Sequence, residues 1–235
     1  MRWGSFLALG VAVLLTAAPA RANELVVLEA KGVELAPGAK VDGNAKLTLP
    51  AGARLTLVAA DGRTIRLRGP YEEAPAPATQ VAQANMGDAL RNLMNQRGAG
   101  TAQLGVVRAA GEGVDLPEPW VVDVARSGPR CLPADASAVL WGPSFADATE
   151  LKIEPADRSW RARGNWPAGQ DRLALPAAIP ISDGTSYQVE LGGNPAAIVV
   201  FRIPAALSDP VAQTAWMLEK GCEDQARALA RLTQR

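Results

Sequence analysis

The sequence predicts a mainly β protein: a small β unit, then a larger β-sandwich, then a C-terminal α-helix. Three observations carry this. Turn residues punctuate Glu24–Tyr71 roughly every eight to twelve residues, at Pro37-Gly38, Asp42-Gly43-Asn44, Pro50-Ala51-Gly52 and Asp61-Gly62. About seven short β-rich runs lie between Pro119 and Ile203. After Ser208, apolar residues recur at helical spacing. Eighteen prolines and 22 glycines suit many turns and few long helices.

The chain opens MRWGSFLALGVAVLLTAAPARA, with Arg2, an apolar run from Phe6 to Ala18, and Ala20-Arg21-Ala22. This is the pattern of a secretory signal peptide over residues 1–22, with cleavage expected between Ala22 and Asn23. The apolar run falls short of the ~20 residues a bilayer span needs. The expectation is a periplasmic protein with no membrane insertion after cleavage. The full chain has 24 basic and 24 acidic residues. Arg2 and Arg21 leave with the leader, so the exported chain carries 22 against 24, a net of −2. Such a chain lacks the positive excess that general nucleic-acid binding requires.

Residues 23–73 form the first unit. Within LTLVAADGRTIRLRGPY, Leu55 and Leu57 share one strand face, as do Ile65 and Leu67. A two-residue Asp61-Gly62 loop would put the two apolar sets on opposite faces. A three-residue loop, Ala60-Asp61-Gly62, sets Leu57 opposite Ile65 and Leu55 opposite Leu67, with Gly62 left-handed. Burial of one face decides register, which selects the longer loop. Arg54 then faces Arg68, with Arg66 beside them on the outward side. Like charges across strands are unfavourable. Either Glu72 and Glu73 neutralise this patch on a solvated face, or it receives an anionic partner.

Residues 74–117 read as a linker. EEAPAPATQ is extended, VAQANMGDALRNLMNQR suggests a short helix with Met86, Leu90, Leu93 and Met94 on one side, and Leu104–Arg108 suggests a short strand. Residues 118–205 carry the runs WVVDVAR, SAVLWG, TELKIEP, SWRARGNW, DRLALP, TSYQVEL and AAIVVFRI, a count that fits an immunoglobulin-like sandwich. In residues 206–235, Ser208 is a candidate N-cap before Pro210. Val211, Ala215, Leu218, Cys222, Ala226 and Leu229 make one apolar stripe, on one helix or on two broken at Gly221.

The only cysteines are Cys131 and Cys222. In an oxidising compartment such a pair is expected to form a disulfide, pinning the tail helix to the sandwich. The chain has no histidine, which excludes His-dependent nucleophilic triads and His-ligated zinc. No phosphate loop or complete dinucleotide fingerprint occurs, and no cofactor or metal is expected. Scattered carboxylates such as Asp123, Glu150, Asp171 and Glu190 leave a glycosidase as a remote alternative. The exported chain keeps five tryptophans, of which Trp120 and Trp141 suit a core. Trp160 and Trp166 bracket Arg161 and Arg163 in SWRARGNW, a pattern suited to a sugar or a protein partner, or else to a core.

The stretch APGAKVDGNAKLTLPAGARLTLVAADGRTIRLRGPY resembles the FecR-type periplasmic β domain, with its glycine start, alternating strand and strand–DG–strand hairpin. That resemblance implies a signalling or interaction role at the cell envelope. The C-terminal part, with Gly221-Cys222 in its tail, resembles a secreted bacterial domain without assigned activity. The expected function is therefore binding rather than catalysis, of an envelope protein or, alternatively, a polysaccharide. The candidate surfaces are Arg54, Arg66 and Arg68 on the hairpin and Trp160, Arg161, Arg163 and Trp166 on the sandwich.

Overall fold

A computed structural model describes residues 23–76, 85–103 and 113–233. The leader expected over residues 1–22 and the strand expected at Leu104–Arg108 lie outside the described residues. The chain is mainly β, with a sandwich and a helical C-terminus.

The first unit contains β1 (Glu24–Lys31), β2 (Lys40–Asp42), β3 (Leu47–Leu49), β4 (Arg54–Ala59), β5 (Thr64–Arg68) and β6 (Tyr71–Glu73). Four strands form an antiparallel sheet in the order β2-β1-β4-β5, and β3 pairs with β6. Leu25, Val27, Leu55, Leu57 and Ala59 fill one side, beneath Leu49 and Ala53. The hairpin has the register that the apolar pattern demands: Leu57 opposite Ile65, Leu55 opposite Leu67, Arg54 opposite Arg68. A bulge in β1 shifts the register between Val27 and Glu29. The extra residue, Leu28, turns to the opposite face and joins Val26 and Val58 under the helices.

Gly62 closes the hairpin with φ 82°, and a Cβ placed there would lie 2.2 Å from the Ala89 carbonyl oxygen. Both conformation and space require glycine. Gly62→Ala is expected to lower stability by about 1–3 kcal/mol and to loosen the helix holding Ala89. Denaturant unfolding measures the first effect, and amide exchange across residues 86–96 the second.

That helix, α1 (Met86–Gln103), is longer than expected. Ala89, Leu90 and Leu93 are buried and Met94 is half-buried, but Met86 is 42% exposed. Next come β7 (Val121–Asp123), β8 (Gly128–Pro133), β9 (Val139–Trp141), β10 (Thr149–Pro155), β11 (Ala162–Trp166), β12 (Arg172–Ala174), β13 (Thr185–Leu191) and β14 (Asn194–Ile203). They make two sheets, β11-β10-β13-β14-β8 and β12-β9-β7, packed over Leu140, Leu151, Ile153, Trp166, Val189 and Val200. Strand order and a tyrosine corner support the immunoglobulin-like assignment. The Tyr187 hydroxyl, near the start of β13, donates to the Pro180 carbonyl (3.2 Å) and accepts from the Ser182 N–H (2.7 Å). Two pairings depart from an all-antiparallel sandwich: β7 runs parallel to β9, and β8 parallel to β14.

β8 is a strand that the turn-like sequence GPRCLP conceals. It lies at the sheet edge, parallel to β14, where proline is tolerated.

The tail is two helices, α2 (Pro210–Lys220) and α3 (Glu223–Thr233). Asp209 caps α2, not Ser208: its carboxylate accepts from the Ala212 N–H at 3.0 Å. With Pro210 as the first helical residue, the cap must be the residue before it. Gly221, left-handed at φ 81°, ends α2 in a Schellman-type cap with the Cys222 N–H on the Met217 carbonyl (2.8 Å). The three helices form one layer. Its core joins Leu28 and Val58 of the small sheet to Leu90, Cys131, Ile203, Trp216, Met217 and Leu229.

Candidate functional site

Two surfaces and one buried polar node concentrate the charged groups. The first surface is the exposed end of the small sheet's second face, beyond the part that the helices cover at Val26, Leu28 and Val58. Arg54 and Arg68 are exposed and directly opposed, as the hairpin register requires. The β1–β4 pairing then sets Lys31 opposite Arg54. Lys31, Arg54 and Arg68 thus form a cationic row across three adjacent strands. None of the three has a carboxylate partner among the described residues, whereas Lys40, Lys46, Arg63, Arg161 and Arg172 each do. Strand pairing holds the row together against its own repulsion.

Two expectations for this patch need correction. Glu72 does not neutralise it, because β6 pairs with β3 and Glu72 reaches Lys46 at 2.8 Å. Arg66 is not free either: its guanidinium meets Glu219 of α2 at 2.5 and 3.2 Å. Beside it, Lys220 joins Glu29 at 3.2 Å and lies over the rings of Phe201 and Trp216, 5.6 and 5.5 Å from their centroids. The last turn of α2 thereby ties the small sheet to the sandwich. These exposed contacts orient the units more than they stabilise them.

The second surface, SWRARGNW, does not present two exposed tryptophans. Trp166 is fully buried in the sandwich core and donates from Nε1 to the Gln170 carbonyl at 2.8 Å. Alternation along β11 turns Ala162, Gly164 and Trp166 inward, opposite Ile153, Leu151 and Thr149. Trp160 is half-buried and tilted against Tyr187, ring centroids 6.0 Å apart. Arg161 is paired with Glu154 at 2.6 Å. Arg163 remains exposed without an acidic partner among the described residues. Of this cluster, Arg163 alone is both exposed and without an acidic partner among the described residues.

The polar node lies where α3 meets β7 and β8. Cys131 and Cys222 are disulfide-bonded, as expected, with Cα atoms 6.0 Å apart. Beside them Gln225, 2% exposed, accepts from the Cys131 N–H at 2.7 Å. Its amide nitrogen donates to the carbonyls of Cys131 (2.6 Å), Pro119 (2.8 Å) and Val121 (3.2 Å). One side chain thus takes both backbone groups of Cys131 on the edge of β8 that faces away from β14.

Asp123, also buried, accepts from Arg126 (2.5 and 2.8 Å) and from the Ala125 N–H (2.9 Å). Arg126 reaches Asp224 at 3.3 Å, and Arg130 donates to the carbonyls of Asp123, Arg126 and Pro129. Burial lowers the pKa of Arg130, partly offset by the nearby Asp123 carboxylate. A cavity of about 270 Å³ opens beside this node, lined by Asp123, Arg130, Asp224 and Gln225 among others. Its two aspartates, Asp123 and Asp224, are already engaged by guanidinium groups, which suits a structural lock.

The other carboxylates singled out from the sequence are paired too. Glu150 and Glu190 flank Lys152 at 3.1 and 2.9 Å, and their hydrogen bonds raise its pKa. Asp171 lies 3.8 Å from Arg172. Among the described residues no cluster of His, Cys, Asp and Glu could hold a metal ion, and no helix is long and apolar enough to cross a membrane. No protein-family model and no curated protein matches this chain.

Proposed function

We propose that the exported chain is a non-enzymatic scaffold that binds an acidic envelope protein through Lys31, Arg54 and Arg68. The observation that carries this reading is the row itself. Among the described residues, three mutually repelling cations stand without a carboxylate partner on one face, whereas most other cations there are paired. A partner supplying carboxylates would relieve that repulsion and gain charge-assisted hydrogen bonds. The FecR-type resemblance of this unit and the leader both favour an envelope role. The absence of histidine from the sequence and the engaged state of Asp123, Glu150, Asp171 and Glu190 favour binding over catalysis. A stacking platform for polysaccharide has less support, since Trp166 lies in the core.

The test compares the immobilised mature chain with a K31E/R54E/R68E variant in extract from the native periplasm. The wild type should retain a discrete set of acidic proteins that elutes with salt, because such contacts are screened within about 8 Å at physiological ionic strength. The variant should retain none of them, and its Tm should match or exceed the wild-type value, since a repulsive row is removed. Equal retention by both proteins would refute the assignment.

A further inference from the structure

The sandwich has an unfilled slot at one end. β11 and β12 are the edge strands of their respective sheets. Between them lies a cavity of about 230 Å³ lined by Leu151, Ile153, Gly164, Leu173, Leu175 and Ile179. The slot exists because two inward positions of β11 carry small residues. Trp166 fills its own inward place, but Ala162 and Gly164 leave theirs nearly empty. Gly164 is not required by backbone conformation, since its φ lies outside the left-handed region. A Cβ built on it would meet nothing within 4 Å. Glycine in a strand weakens it and often marks a place where another chain approaches. The outward position beside it holds Arg163, the exposed cation without an acidic partner among the described residues.

We propose that this edge binds an extended peptide, which adds as a strand along β11. The peptide places an apolar side chain into the slot at Gly164 and a carboxylate against Arg163. Backbone hydrogen bonds along the free edge supply affinity, and alternate side chains supply specificity. Period-two geometry fixes the preferred ligand: apolar residues two apart, with Asp or Glu between them or beside them. Self-pairing of two β11 edges is disfavoured, because it would bring Arg161 and Arg163 of both copies together. This site lies on the sandwich, apart from the cationic row, and stands or falls independently of it.

The probe is a phage-displayed library of random decapeptides, selected on the mature wild-type protein. Enriched peptides should show the apolar–acidic–apolar pattern. Gly164→Leu should weaken their binding at least tenfold while leaving Tm unchanged or raising it, because it fills the slot from within. Arg163→Glu should weaken acidic peptides by a similar factor and shift selection toward Lys or Arg at the central position. Failure to enrich any pattern would overturn the proposal. So would peptides that bind the Gly164→Leu variant as tightly as wild type, or a Gly164→Leu variant that is markedly destabilised.

Discussion

Gln225→Ala is expected to lower the unfolding free energy by about 3–5 kcal/mol, since each buried group left unpaired costs about 1–3 kcal/mol. The side chain satisfies the N–H and C=O of Cys131 and also reaches the carbonyls of Pro119 and Val121. It does for the β8 edge what a further strand would do in a larger sheet. Alanine would leave these groups buried with a void too small for regular packing. Tm should fall by about 10 °C at this chain length. Gln225→Glu separates hydrogen bonding from shape. An ionised carboxylate can accept from Cys131 but cannot donate to the three carbonyls, and burial disfavours its charge. The folded-state pKa of that glutamate is therefore raised above its unfolded value of about 4.3. Its defect should be smallest below about pH 4 and should grow as pH rises through the folded-state pKa. A pH-independent defect, or a loss under 1 kcal/mol in Gln225→Ala, would contradict this account of the node.

The second large effect is expected from Cys131→Ala together with Cys222→Ala. The bridge spans 91 residues. In the chain-entropy model a loop of that length contributes about 4–5 kcal/mol by restricting the unfolded chain. Both sulfurs are buried, and the bridge enters the helical core beside Ile203, Trp216 and Ala226. Its removal frees the start of α3 from β8, so amide protection should fall most near Gly221–Gln225 and Arg130–Leu132. Denaturant unfolding of the wild type with and without reductant gives the same comparison without substitution. Equal stability in both states would show that the bridge adds nothing to the folded chain.

Much of the fold was legible because local chemistry and burial agreed. In the hairpin, four apolar residues on two strands allow one register only, and the Arg54–Arg68 opposition follows from it. The sandwich strands stand between proline and glycine turns. What escaped reading depends on partners distant in sequence. β8 hides between Pro129 and Pro133, and becomes a strand only because β14 offers it an edge. Lys31 joins the cationic row only after the bulge at Leu28, which no alternation in ELVVLEAK announces. The tryptophans of SWRARGNW were misplaced by proximity in sequence. Counting by twos from Ala162 puts Trp166 on the inward side with Gly164, so that signal was present. Gln225 carried none, as its four backbone partners lie about a hundred residues away.

The measurement that bears most directly on the binding role places a photo-crosslinking amino acid at Thr56. This residue is next to Arg54 on the strand of the row, and opposite Arg66. Irradiation in living cells, followed by mass spectrometry, reads which chain lies over the cations. The account predicts one dominant adduct, at a partner segment rich in Asp and Glu, that disappears in the K31E/R54E/R68E background. Adducts to basic or neutral segments, or acidic adducts that persist in that background, would contradict it.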